Sequence, residues 1–121
     1  MRLVVGVLAA LLPGVAAAWG EGYPLRAGEG AVSVGLRADP WPIRVSEPFG
    51  FDIVLCGAGE LARIDATMPA HRHGMNYRPS LVALGDGRWR AEGLMFHMAG
   101  EWEIRLDLPD RAPLRVRLMV R

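Results

Sequence analysis

From Val32 to Val120 the chain keeps returning to one pattern, an apolar residue followed by a polar or small one. Val32, Val34 and Leu36 alternate with Ser33, Gly35 and Arg37, and Phe49, Phe51, Ile53 and Leu55 with Gly50, Asp52, Val54 and Cys56. Ile64 and Ala66 alternate with Arg63, Asp65 and Thr67. Trp102, Ile104, Leu106 and Leu108 alternate with Glu101, Glu103, Arg105 and Asp107, and Leu114, Val116, Leu118 and Val120 with Arg115, Arg117, Met119 and Arg121. Successive side chains of an extended backbone point to opposite faces, so each run turns one face to a core and the other to water. An amphipathic helix would need apolar residues three and four apart, and no stretch after residue 18 shows that spacing convincingly.

Turn signals separate the runs. Asp39-Pro40-Trp41-Pro42, Ser46-Glu47-Pro48 and Gly57-Ala58-Gly59 interrupt the early ones. Gly85-Asp86-Gly87 stands between Leu81-Val82-Ala83-Leu84 and Arg88-Trp89-Arg90-Ala91, a hairpin signal, because these residue types tolerate the positive φ of tight turns. Pro109 to Pro113 joins the last two runs as a second hairpin. About seven short strands without a helix predict an all-β fold, an immunoglobulin-like antiparallel β-sandwich. A small closed barrel is the alternative that the same pattern allows.

The first residues read differently. Arg2 precedes an apolar run from Leu3 to Val15, and Ala16-Ala17-Ala18 has the small residues a signal peptidase accepts. Residues 1–18 are therefore expected to be a cleavable signal peptide, 19–30 a flexible Gly-rich lead, and 31–121 the folded domain. An uncleaved membrane anchor is the alternative, but the apolar run falls short of the ~20 residues a span requires, so no stable membrane span is expected after cleavage. The expected location is periplasmic or otherwise exported. A net charge of +1 provides no basic surface for nucleic acid. The single cysteine, Cys56, rules out an internal disulfide and is expected in the core.

Chemistry-bearing residue types are concentrated in one region. All three histidines, His71, His73 and His97, lie between Met68 and Met98, as do four of the six methionines. The first string is Met68-Pro69-Ala70-His71-Arg72-His73-Gly74-Met75; in extended backbone His71, His73 and Met75 would share one side. The second is Met95-Phe96-His97-Met98, placed beyond the Gly85–Gly87 hairpin, which carries the chain back toward the first. Imidazole suits several transition metals, and thioether favours Cu(I). A structural zinc site would want Cys/His pairs at set spacing, and Ca²⁺ a dense carboxylate set. The predicted ligands are His71, His73, His97, Met75 and Met98, and the predicted cofactor is copper. Met68 continues the Ile64–Ala66 face and is expected in the core, Met95 as a core gap-filler, and Trp89 and Trp102 as core residues. On a regular strand His97 and Met98 would face opposite ways, so only one would bind. The serines have no arrangement with a histidine that makes a nucleophile, and no Gly-rich turn links a strand to a helix for phosphate binding. The expectation is a non-enzymatic protein.

The strings Met-Pro-x-His-x-His-Gly-Met (68–75) and Phe-His-Met-x-Gly-x-Trp (96–102), with Gly85-Asp86-Gly87-Arg88-Trp89 between them, resemble the YtkA-like/FixH-like family of small exported or membrane-tethered bacterial domains. The resemblance covers residues 45–108. It implies an immunoglobulin-like domain and, from members associated with copper handling or copper-oxidase assembly, a periplasmic protein that sequesters or delivers copper. Its partners would be the copper ion and another periplasmic or membrane copper protein. The alternative function is a metal-free interaction or assembly module in which the His/Met strings are structural.

Overall fold

The computed structural model describes residues 22–121, so the signal-peptide reading of 1–18 lies outside the described residues. Nine strands form among them: β1 (Leu25–Glu29), β2 (Val32–Asp39), β3 (Phe49–Cys56), β4 (Arg63–Met68), β5 (His73–Gly74), β6 (Ser80–Gly85), β7 (Arg88–Leu94), β8 (Gly100–Asp107) and β9 (Leu114–Val120). They make two antiparallel sheets, one of five strands in the order β1-β2-β3-β7-β6 and one of four in the order β5-β4-β8-β9. No described helix is long and apolar enough to cross a membrane.

The period-two runs become the two halves of one core. Val34, Leu36, Phe51, Ile53 and Ala91 of the five-stranded sheet and Ile64, Ala66, Met68, Trp102, Ile104 and Leu106 of the four-stranded sheet are almost wholly buried. No charged or polar residue is buried with them. Both expected hairpins are present, β6 with β7 and β8 with β9.

The structure departs from the sequence reading in three places. Residues 25–29, within the stretch expected to be a loose lead, form β1 and pair along their whole length with β2; Leu25 and Ala27 pack on the core and anchor them. The two-residue β5 is too short to carry a periodic signal. Cys56 is only half-buried rather than a core residue, because it falls on the outward parity of β3 with Asp52 and Val54. Burial pushes its thiol pKa up.

A break in the β3–β7 pairing shapes one end of the sandwich. These strands pair from Phe49↔Leu94 at that end toward Val54↔Arg88 at the other. Between Phe51↔Ala91 and Phe49↔Leu94, Glu92 and Gly93 oppose Gly50 alone, a β-bulge with Gly93 at φ 86°. The bulge resets the alternation, so Leu94 and Phe96 turn into the core and are fully buried. The chain then leaves the five-stranded sheet through residues 95–99 and starts β8 in the other sheet.

Candidate metal site

His71 and His73 arrive at this same end on the β4–β5 hairpin. Its loop is residues 69–72, closed by the backbone N–H groups of His71 and Arg72, which both donate to Met68 O at 3.2 and 2.8 Å. Arg72 completes the turn at φ 55°. This left-handed residue breaks the extended geometry that would have put His71, His73 and Met75 on one side. His71 sits in the turn instead.

His73 and Met75 do keep a common side. His73 lies directly across from Met68, and the Met75 N–H donates to Ala66 O at 3.3 Å. Directly opposed residues of an antiparallel pair share a face, and Met68 and Ala66 face the core. His73, on the edge strand, is exposed, whereas Met75 packs partly against the core. The β4–β8 register, which reaches Thr67↔Glu103, puts Met68 next to Trp102 one step on. A row thus runs across the inner face from Trp102 through Met68 to His73.

His97 meets this row from the segment that connects the two sheets. Its ring centroid is 6.2 Å from that of His73, at 82°, and 5.6 Å from that of Trp102, at 81°. The His71 ring centroid also lies 6.2 Å from that of His73. His73 is therefore within 6.2 Å, ring to ring, of each of the other two imidazoles. Met98, next to His97 in sequence, packs partly on the core, and its carbonyl accepts the Trp102 Nε1–H at 3.0 Å. Since residues 95–98 are not a strand, the expectation that His97 and Met98 face opposite ways no longer applies. Of the residues read as core, Met68 and Trp102 are buried, and Met95 and Trp89 are half-buried.

The spacing is one that a shared ion can accommodate. An imidazole nitrogen lies about 2.0–2.1 Å from a bound metal, which puts two ring centroids on one ion about 5–6.5 Å apart. His97 Nδ1 is buried with no hydrogen-bond partner. A buried polar atom left in that state costs about 1–3 kcal/mol, and a metal ion is one kind of group that would satisfy it. Among the described residues no three His, Cys, Asp or Glu side chains converge as a metal-binding group. Cys56 cannot contribute, because it pairs with Ser33 at the far end of β3.

An open cleft of about 440 Å³ adjoins Met75, with Arg63, Asp65, Tyr77 and Arg78 on its walls. Arg63 is held by Asp65 at 2.7 Å. Neither string of the sequence signals the cleft, because it forms where residues 75–79 cross from one sheet to the other. Comparison of the chain with family models, with curated proteins and with solved structures finds no match in any of the three.

Proposed function

We propose that this chain is an exported, periplasmic copper-binding protein that sequesters or delivers the ion, built on an immunoglobulin-like sandwich and carrying residues 1–18 as a cleavable leader. The observation that carries the reading is the meeting of His73, on β5, and His97, in the β7–β8 connection, at a 6.2 Å ring separation, with Met75 two residues from the first and Met98 next to the second in sequence. His73 and His97 are the imidazole ligands in this reading, and the two thioethers complete a set suited to Cu(I). His71 is exposed in its turn, 6.2 Å ring to ring from His73, and would serve in this reading as an entry or exit ligand. Exposure of His71 and His73 would let a partner protein replace ligands one at a time. The resemblance to the YtkA-like/FixH-like family points to the same class of role.

The test is a titration of the purified protein with Cu(I) under reducing conditions and with Cu(II) under air, read by elemental analysis and by competition with a chelator. The expected result is one copper per chain. His73→Ala should weaken binding by about 100-fold or more, as removal of a ligand would, and His71→Ala by much less. Met75→Leu with Met98→Leu should weaken Cu(I) far more than Cu(II). If His73→Ala keeps wild-type affinity, the site assignment is wrong. A second reading, a metal-free assembly module, draws on the exposed apolar edge strand β6; wild-type protein that takes up no copper would favour it.

A further inference from the structure

The cleft beside Met75 lies where β5 stops covering the edge of β4. β5 pairs only with Thr67 and Met68, and beyond it the Met75 N–H bonds Ala66 O. Among the described residues no strand pairs with Arg63, Ile64 or Asp65 on that side. The Ala66 N–H, left without a strand partner, is taken instead by Asp65 Oδ1 at 2.8 Å. Backbone groups of an extended strand point alternately to its two edges, and the carbonyls of Met68 and Ala66 point to the β5 edge. The N–H and C=O of Ile64 therefore point the same way, toward the opening that Ile64 helps to line.

The walls of the cleft carry an unbalanced positive charge. Arg63 and Arg78 both line it, against one acid, Asp65. Both oxygens of Asp65 already accept a bond, Oδ2 from Arg63 at 2.7 Å and Oδ1 from the Ala66 N–H. Arg78 is in no ion pair among the described residues. Its neighbour Tyr77, 43% exposed, adds an aromatic wall and a phenol O–H. We propose that the cleft binds an extended peptide that carries an acidic side chain. Arg78, with the free N–H groups of Arg63, takes the carboxylate, and the N–H and C=O of Ile64 take the peptide backbone as they would an added strand. A small free carboxylate would use the arginines and leave the Ile64 groups unmet. The proposal concerns the metal-free chain and does not rest on the copper reading.

The experiment is a titration of isotope-labelled protein followed by amide NMR, with a metal chelator present so that nothing at the histidines is read as this contact. The probes are the blocked peptide Thr-Val-Glu-Val-Thr, the same peptide with Gln in place of Glu, and acetate. The Glu peptide should move the amides of Ile64, Asp65, Tyr77 and Arg78 and saturate with a Kd of about 1 mM or tighter. The Gln peptide should bind about tenfold more weakly, and acetate should leave the Ile64 amide where it is. Arg78→Gln should keep the wild-type thermal midpoint, because the side chain is exposed. It should weaken the Glu peptide by about fivefold and leave the Gln peptide unchanged. No saturable shift at about 5 mM Glu peptide, shifts confined to β6 or to the histidines, equal affinity for the two peptides, or an Arg78→Gln variant that binds like the wild type would each overturn the proposal. Acetate that moves the same amides as the Glu peptide would reduce the cleft to a carboxylate site without strand pairing and overturn the peptide assignment.

Discussion

The indole of Trp102 meets three neighbours at the end of the sandwich. It stacks on Phe96 at 4.4 Å, stands edge-on to His97 at 5.6 Å, and donates Nε1–H to Met98 O at 3.0 Å. One buried side chain thus sets the position of both candidate ligands of the second string. Trp102→Phe keeps most of the apolar contact but leaves a small cavity and an unpartnered carbonyl. The expected loss is roughly 1–3 kcal/mol, seen as a lower urea midpoint at unchanged slope; a midpoint equal to the wild type would show that the hydrogen bond holds nothing. At this scale the sequence was informative about residue types and uninformative about turns. Three histidines and four methionines within two short strings were visible at once. The left-handed Arg72, which takes His71 off the face shared by His73 and Met75, was not visible, because any residue can be forced into that conformation by a short loop.

The strands were legible wherever alternation ran for four residues or more, and β1 and β5 were missed for want of length or of large side chains. The bulge on β7 was also hidden, yet it decides where the second string goes. Without the extra residue, Met95 and His97 would take the inward parity that Leu94 and Phe96 occupy. Gly50 makes room for it: a Cβ there would lie 2.6 Å from Ala91 O and 2.8 Å from an Arg90 terminal nitrogen. The first of these atoms is backbone and cannot swing aside. Gly50→Ala should therefore part β3 from β7 locally and cost about 2 kcal/mol or more of stability. Protection from amide exchange should fall most at Phe51 and Leu94, which flank the bulge, and least at Val54. Uniform loss of protection along β3 would mean that the strand pair opens as a unit and that Gly50 has no local role.

Alternation says which side chains point inward but not which sheet receives them, so the closed barrel stayed open as an alternative to the expected sandwich until the pairing into two sheets was known. What joins the strands of the larger sheet on its outer face is a charge network. Asp52 on β3 accepts from Arg37 on β2 at 3.1 Å and from Arg90 on β7 at 3.0 Å, and Arg90 also reaches Asp39 and Glu92. Burial alone would raise the pKa of Asp52, but the hydrogen bonds and charges of Arg90 and Arg37 together outweigh it and hold the carboxyl below its ordinary value of 3.8. A carboxyl that is more acidic in the folded than in the unfolded chain stabilises the fold at any pH above the unfolded value. That contribution fades as the pH falls through the ordinary value and is gone below the folded one. Asp52→Asn removes the titration, so the variant should be about 1 kcal/mol less stable than the wild type at neutral pH. The gap between the two should stay constant down to about pH 5 and close toward zero in stronger acid. Urea midpoints measured across the acid range read this directly. A gap that widens as the pH falls would mean that Asp52 is protonated more readily in the fold than out of it, and that the three strands are held by their apolar faces alone.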